Sequence, residues 1–163
     1  MRICIVGCGN QGTGLAGLLA QETDIEEIIL VDSDIDRAKT AMGLVKSLGQ
    51  KLKTKSIRVA EADALDSDEV ACVANGTDLI FNGIYATYNT SLMQACLDVG
   101  AHYIDLRSNA VEGPGVPWNE TIDAQLKMDE KFKLAGLTAV PCMGVSPGWA
   151  NMMACYMIDQ MDT

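Results

Sequence analysis

The sequence has little of what several common classes of protein depend on. It contains one histidine, His102, and its six cysteines form no CxxC pair, so a zinc cluster of the usual Cys/His spacing is excluded. No run approaches the ~18 uninterrupted apolar residues that a membrane span needs. The residues before the first glycine, Met1 to Val6, are too few for a secretory signal. We therefore expect neither a membrane protein nor a secreted one.

Basic residues are also scarce. The chain has 12 Lys and Arg against 22 Asp and Glu, a net charge of −10, which argues against binding to a nucleic-acid backbone. With 163 residues, 48% of them hydrophobic and 21% charged, the composition indicates one globular domain. Most cysteines lie in apolar runs, which favours buried, reduced thiols and a cytoplasmic protein. Cys8, in a glycine-rich loop, is the thiol expected to be accessible.

Short apolar runs alternate with amphipathic stretches along the chain. This alternation predicts parallel βαβ units: an α/β fold of the Rossmann type, with a doubly wound parallel sheet in a three-layer αβα arrangement. The predicted strands are "RICIVG", "EEIILVD", "SIRVAEADA", "TDLIFNGI", "AHYIDL" and "LTAVPCM". The predicted helix caps are Ser33 or Asp34, Asp66 or Ser67, and Asn89 or Thr90.

A glycine motif follows the first predicted strand. Gly7-x-Gly9-x-x-Gly12 opens a helix, and Asp32 ends the second strand 20 residues after Gly12. In this context the first glycine allows a tight turn, the second lets a pyrophosphate approach, and the third lets helix and strand pack closely. The acid is spaced to accept from the adenosine ribose hydroxyls. The motif predicts dinucleotide binding; the alternative is a glycine turn without a ligand.

The residues around Asp32 bear on the choice of cofactor. A carboxylate repels the 2′-phosphate of NADP and accepts hydrogen bonds from the free hydroxyls of NAD. Ser33 follows it and adds no positive charge, while Arg37 is expected to face solvent on the next helix. NAD is therefore predicted, with NADP as the alternative.

Polar residues near the ends of later strands are candidates for the ligand crevice. Asp63 either reaches the adenine or begins the cap of the following helix. Tyr85 and Tyr88 are either general acids or packing residues, and His102, at a strand start, is expected to be structural. The candidates that follow the fourth and fifth strands are Asn82, Gly83, Ile84, Tyr85 and Asp105. No Ser-His-Asp triad or Walker lysine can be assembled, which does not count against hydride chemistry carried by a cofactor.

Four blocks in order resemble the saccharopine dehydrogenase family: "VGCGNQG", "LVDSD", "DLIFNGIYATYNTSLMQACLDVGAHYIDL" and "AGLTAVPCMGVSPGWANMMACYMIDQMD". The pattern Gly144-x-x-Pro147-Gly148-x-x-Asn151 is most similar to lysine 6-dehydrogenase and saccharopine dehydrogenase-like members. The resemblance implies a nicotinamide-dependent oxidoreductase acting on a C–N bond of a lysine- or saccharopine-like amino acid. It also implies that the dinucleotide is held by Gly7, Gly9, Asn10, Gln11, Gly12, Asp32 and Asn82, and that the loop from Met143 to Gly148 (Gly144, Val145, Ser146, Pro147 and Gly148 within it) flanks the nicotinamide and substrate. The residues that follow the predicted strands add Ser33, Asp63, Gly83 and Ile84 on the cofactor side and Tyr85 and Asp105 on the substrate side.

The chain departs from the family in three places. Ser33 stands where many relatives have Arg, and Ile84-Tyr85-Ala86 stands where many have two prolines. Because family members run to several hundred residues, residues 1–163 are interpreted as a dinucleotide-binding domain without its substrate domain, and we do not expect this part alone to turn over substrate. The alternatives are a nucleotide-sensing domain of the kind that gates potassium transporters, and a catalytically dead relative.

The last helix is rich in methionine. Ser146 is expected to cap it, with Pro147 in its first turn, and its body "WANMMACYMIDQM" is apolar on more than one face. An uncovered apolar side predicts self-association, so the expected assembly is a homo-oligomer, a dimer.

Overall fold

Six parallel strands form the centre of the molecule. The computed structural model describes residues 1–108 and 120–161. The strands are β1 (Arg2–Val6), β2 (Glu27–Asp32), β3 (Ser56–Glu61), β4 (Leu79–Asn82), β5 (His102–Asp105) and β6 (Ala139–Val140). Their order in the sheet is β3-β2-β1-β4-β5-β6, and all neighbouring pairs are parallel. This is the order of a Rossmann sheet, so the predicted fold class is confirmed.

The helices are α1 (Asn10–Leu19), α2 (Ile35–Lys46), α3 (Ser67–Ala74), α4 (Asn89–Val99), α5 (Glu120–Leu126), α6 (Asp129–Ala135) and α7 (Ala150–Asp159). They divide between the two faces of the sheet. One face packs Ile3 and Ile28 against α1 and α2, while the other packs Val31 and Ile80 against α3, α4 and α6. Successive strand residues point to opposite faces, and both faces are covered, so the strand sequences are continuously apolar.

The predicted N-terminal caps of α2 and α3 are confirmed. Asp34 Oδ1 accepts from the N–H groups of Asp36 and Arg37 and caps α2. Asp66 caps α3 in the same way. A side-chain oxygen at this position satisfies N–H groups that have no partner within the helix.

The predicted cap of α4 is wrong. Asn89 is already the first helical residue, Tyr88 precedes it, and no side chain caps the helix. The Asn89 amide is instead buried and bonded to groups distant in sequence.

The end of the described chain differs from the rest. No residue of α7 is buried, and Met152, Tyr156, Met157 and Ile158 are all more than half exposed. The apolar surface expected of this helix is therefore present. Self-association through it stays a prediction.

Candidate dinucleotide site

The loop between β1 and α1 is shaped by two glycines that no other residue could replace without strain. Gly7 has φ of 99°, a left-handed conformation that side chains disfavour, and its N–H donates to the Val31 carbonyl at 2.7 Å. A Cβ on Gly12 would collide with the Gly7 carbonyl oxygen. The backbone at Gly7 and the first turn of α1 at Gly12 are therefore in such close contact that no side chain fits between them.

Gly9 is glycine for a different reason. Its backbone (φ −75°, ψ −168°) suits any residue, and a Cβ there would meet no described atom within 4 Å. Neither the backbone conformation nor the packing within the described chain requires glycine here. A side chain at this position would extend into open space. Gly9 also precedes α1, whose first-turn N–H groups receive no capping side chain. An exposed set of N–H donors beside open space fits a phosphate.

Asp32 lies beneath this space and is almost fully buried. Its Oδ2 accepts from Cys8 N–H at 2.8 Å and its Oδ1 from Asp34 N–H at 3.0 Å, so one carboxylate joins the glycine loop to the start of α2. Arg37 was expected to face solvent, and that expectation is wrong in part. Its side chain is exposed, but its Nη1 lies 3.5 Å from Asp32 Oδ1.

The thiol of Cys8 is not accessible. It is 5% exposed, and burial raises its pKa to about 12, with the nearby Asp32 charge adding to the effect. The exposed thiols are Cys72 and Cys155. The expectation that Cys8 is the accessible cysteine is therefore wrong, because the Gly7 turn folds its side chain inward towards the Val31 carbonyl.

A small hollow of about 180 Å³ opens on the far side of Asp32. The polar side chains around it are Asp32, Ser33, Arg37, Asp63, Tyr85 and Tyr88. Asp63 is exposed there and forms a turn, since its Oδ1 accepts from Leu65 N–H at 2.9 Å. It precedes the capping residue Asp66 and does not cap α3 itself.

A larger crevice of about 770 Å³ runs along the carboxyl edge of the sheet. It joins residues separated widely in the sequence, between β1 and β4, where the strand order reverses. Its lining residues are Gly9, Gln11, Asp32, Arg37, Gly83, Ile84, Tyr85, Leu106, Arg107, Met143, Gly144, Val145 and Trp149. Ligands of open α/β sheets bind at this switch point. Sequence reasoning missed Leu106, Arg107 and Trp149 as crevice residues and misjudged Arg37, because no motif marks them.

The loop after β6 closes the crevice by extending along β5. Met143 N–H donates to the Asp105 carbonyl at 2.8 Å, and Gly144 N–H donates to the Leu106 carbonyl at 3.0 Å. A Cβ on Gly144 would collide with that Leu106 oxygen, and one on Gly148 would lie 2.7 Å from the Cys142 oxygen. The two glycines of the G-x-x-P-G pattern thus allow close backbone packing.

Ser146 and Pro147 do not have their predicted roles as helix cap and first helical residue. They lie in the segment Val145–Trp149, where the chain kinks at Ser146, and α7 begins after it at Ala150. Ser146 has extended angles (φ −135°, ψ 128°), and the N–H of Trp149 donates to the Gly144 carbonyl at 2.8 Å. Val145 and Trp149 of this segment line the crevice, whereas Ser146, Pro147 and Gly148 do not.

Two further candidates lie beneath the crevice rather than in it. Asn82 and Asp105 are each 1% exposed and are register neighbours at the ends of β4 and β5. Burial raises the pKa of Asp105, and hydrogen bonds from Cys142 N–H and the Gln125 amide oppose that rise. Direct contact of Asp105 with a substrate is therefore not supported by its position. Both residues hold neighbouring groups through hydrogen bonds.

Tyr103 belongs to the same buried region. Its side chain is fully buried, and burial raises its pKa. In the described part of the chain its hydroxyl lies near Asp105 and Asn82 without a hydrogen bond of ordinary geometry to either. His102, at the start of β5, has the expected structural role, since its Nδ1 accepts from Thr138 N–H at 3.0 Å.

Comparison with known proteins decides the family. Residues 3–140 match the model of the saccharopine dehydrogenase NADP-binding domain. The chain belongs to this family. The resemblance inferred from the four sequence blocks is thereby confirmed, and the chain is an NAD(P)-binding domain of saccharopine dehydrogenase-like enzymes rather than of the sensor class.

Relatives in this family are longer than the chain. Carboxynorspermidine synthase of Vibrio cholerae is 28% identical over 174 residues, a match that covers all of this chain and 42% of that protein. Carboxyaminopropylagmatine dehydrogenase of Synechocystis is 28% identical over 159 residues, covering 96% of this chain and 37% of the relative. The chain thus spans less than half the length of the curated relatives it matches.

The fold is shared with solved structures. Saccharopine dehydrogenase (L-Glu forming) of Saccharomyces cerevisiae superposes with a TM-score of 0.73 at 16% identity, over 98% of this chain and 31% of that one. In the described ranges no helix is long and apolar enough to cross a membrane. Nor do residues 1–108 and 120–161 contain a cluster of three potential metal ligands.

Proposed function

We propose that the crevice binds NAD as the cofactor of an amino-acid oxidoreductase. The observation that carries this proposal is Gly9, where a side chain would fill open space that nothing in the described chain uses. The pyrophosphate would lie there, against the N-terminal N–H groups of α1 and its positive dipole end. The adenosine ribose would lie by Asp32, and the adenine in the hollow beside Asp63 and Tyr85.

The preference for NAD over NADP rests on charge. Asp32 accepts two backbone N–H groups, which hold its carboxylate at the lining of the crevice as an acceptor. Ribose hydroxyls donate to such a group, whereas a 2′-phosphate is repelled by it. Arg37 moderates the repulsion, but at 3.5 Å from Asp32 its charge is shared with that carboxylate. The family name refers to NADP, so the choice made by this chain needs its own measurement.

The bound nicotinamide would supply hydride transfer to or from an amine-bearing carbon. The chain's own residues hold and enclose that end of the crevice. Leu106, Met143 and Val145 give it apolar walls that exclude water, and Gly144 lets the wall approach closely. Among the described residues the crevice offers Arg107 as a polar side chain beside Leu106 and Met143, and no catalytic acid or base is assigned.

The substrate class follows from the relatives. Their names, carboxynorspermidine synthase and carboxyaminopropylagmatine dehydrogenase, describe compounds that carry a carboxyl group and an amine. We propose a substrate of this kind, lysine- or saccharopine-like, whose reacting C–N bond lies next to Met143 and Gly144. Because the chain spans 42% of such a relative, most substrate contacts would come from further residues of a longer protein, and this part alone would be inactive.

The test is a calorimetric titration of the chain with NAD and with NADP, beside Asp32→Asn. Asn keeps the shape and one acceptor but removes the charge. The wild type should bind NAD about tenfold more tightly than NADP, the effect of one unfavourable charge contact, and Asp32→Asn should narrow that ratio. Asp36→Asn, an exposed carboxylate on α2, is the matched control. A wild type that prefers NADP overturns the NAD assignment, and one that binds neither overturns the proposed function.

A further inference from the structure

A continuous run of buried amides lies beneath the crevice. Ile84 N–H donates to Asn82 Oδ1 at 2.9 Å, and Asn82 Nδ2 donates to Asn89 Oδ1 at 2.7 Å. Asn89 Nδ2 then donates to Gln125 Oε1 at 3.0 Å, and Gln125 Nε2 donates to Asp105 Oδ2 at 2.7 Å. Each amide accepts on one side and donates on the other. We refer to Asn82, Asn89, Gln125 and Asp105 as the amide relay.

The direction of this relay is determined at its ends. Ile84 contributes a backbone N–H, which can only donate, and Asp105 contributes carboxylate oxygens that both accept. Reversing any one amide would place two donors or two acceptors face to face in a buried site, which costs roughly 1–3 kcal/mol for each unsatisfied group. The relay therefore has a single favourable arrangement.

Both ends of the relay hold walls of the crevice. At one end Ile84 packs over Gly7. At the other, Asp105 Oδ1 accepts from Cys142 N–H at 2.7 Å. Met143 and Gly144, which follow directly, line the crevice.

Cys142 needs such a partner. Its φ is 64°, a left-handed conformation that costs a residue with a Cβ roughly 1–2 kcal/mol. Residues held in this region persist where the surroundings over-determine them. Here the buried carboxylate of Asp105 and its own carbonyl take the two successive N–H groups of Cys142 and Met143.

We propose that Asp105 and Gln125 are positioning residues for the nicotinamide half of the crevice. They act through Cys142 and fix the position of Met143 and Gly144 at the side of the crevice. The adenosine half depends instead on Asp32 and the glycine loop. This inference rests on the proposed function, because it presumes that the crevice receives a dinucleotide.

Two ligands distinguish an effect on the nicotinamide half of the crevice from an effect on the adenosine half. NAD fills both, and ADP-ribose lacks only the nicotinamide. Affinities of both should be measured for the wild-type chain, Asp105→Asn and Gln125→Leu, with unfolding midpoints recorded in parallel. An exposed Gln–Asp pair on α4, Gln94 Nε2 to Asp98 Oδ1 at 2.8 Å, supplies matched controls as Gln94→Leu and Asp98→Asn.

The wild type should bind NAD more tightly than ADP-ribose. Asp105→Asn and Gln125→Leu should weaken NAD binding on the order of tenfold, the effect of disturbing one charge-assisted hydrogen bond, and leave ADP-ribose binding within about twofold. The α4 controls should change neither. A merely structural role would lower the midpoint without changing the ratio of the two affinities.

Other outcomes overturn the inference. Equal loss for both ligands, loss for neither, or a wild type that binds the two ligands equally would each show that the relay does not act on the nicotinamide half. Absence of binding of either ligand by the wild type is a different result, since it defeats the proposed function itself. If one variant does not fold, the other carries the test, because the two replace opposite partners of one hydrogen bond.

Discussion

The two halves of the crevice are built in different ways. The half proposed for adenosine comes from β1, α1 and β2, and its shape follows from backbone sterics at Gly7 and Gly12 and from Asp32. The half proposed for nicotinamide comes from strands and loops joined by buried side chains as far apart in sequence as Asp105 and Cys142, which are 37 positions apart. The first half depends on space that glycines leave open. The second depends on hydrogen bonds that must all be made together.

The largest expected effect lies in the glycine loop. Gly12→Ala should cost roughly 3 kcal/mol or more of unfolding free energy, the upper range for overpacking, because the new Cβ meets the Gly7 carbonyl. Gly9→Ala should leave stability within about 0.5 kcal/mol, as a surface change does. Denaturant unfolding followed by circular dichroism measures both. Equal costs at the two positions would contradict the close approach of Gly12 to the Gly7 carbonyl.

Truncating the amide relay should have the next largest effect. Asn89→Ala removes both the donor to Gln125 and the acceptor for Asn82, and leaving buried polar groups unsatisfied should cost about 2–3 kcal/mol. The exposed Asn75→Ala is the matched control and should cost little. The same unfolding measurement applies. A cost below that of the control would mean that the relay adds nothing to stability.

A smaller effect is expected at α7, which neither half of the crevice includes. Met157→Lys should weaken self-association, because it places a charge on the exposed apolar side of the helix. Leu134→Lys, at an isolated exposed leucine on α6, is the control and should not. Sedimentation equilibrium reports the dimer fraction. A wild type that stays monomeric at high concentration would contradict the prediction of a dimer.

The smallest effect concerns pH. Since burial raises the pKa of Asp105 above its ordinary 3.8, the folded chain binds that proton more tightly than the unfolded chain. The resulting stability is present below pH 3.8 and is lost as pH rises through the raised pKa. The stability of the wild type relative to Asp105→Asn should therefore fall over this window. A constant difference, or one that grows with pH, would contradict the assigned direction.

What the sequence predicts well is what depends on neighbours in the chain. The parallel sheet follows from the alternation of strand and helix runs, and the caps Asp34 and Asp66 bond N–H groups two and three residues ahead. The failures share another cause. Asn89 resembles a cap, but its amide bonds Gln125, 36 residues away. Asp105 resembles a site acid, but Cys142 and Gln125 take its oxygens.

Arg37 shows the same limit at the surface. Its position on α2 predicted a solvated side chain, and the guanidinium nevertheless turns to Asp32. A pattern along the chain indicates which face a residue occupies. It does not indicate which charge that residue meets across the fold.

The most direct test of the account is the affinity of NAD for the wild-type chain and for Gly9→Val, measured by calorimetry. Gly43→Val, at an exposed glycine of α2 with equally open surroundings, controls for the substitution itself. The account predicts a dissociation constant of about 1 mM or tighter for the wild type and Gly43→Val, and no measurable binding for Gly9→Val, whose side chain would occupy the space proposed for the pyrophosphate. Equal affinity in all three chains would contradict it, because the open space at Gly9 would then not be where the dinucleotide binds.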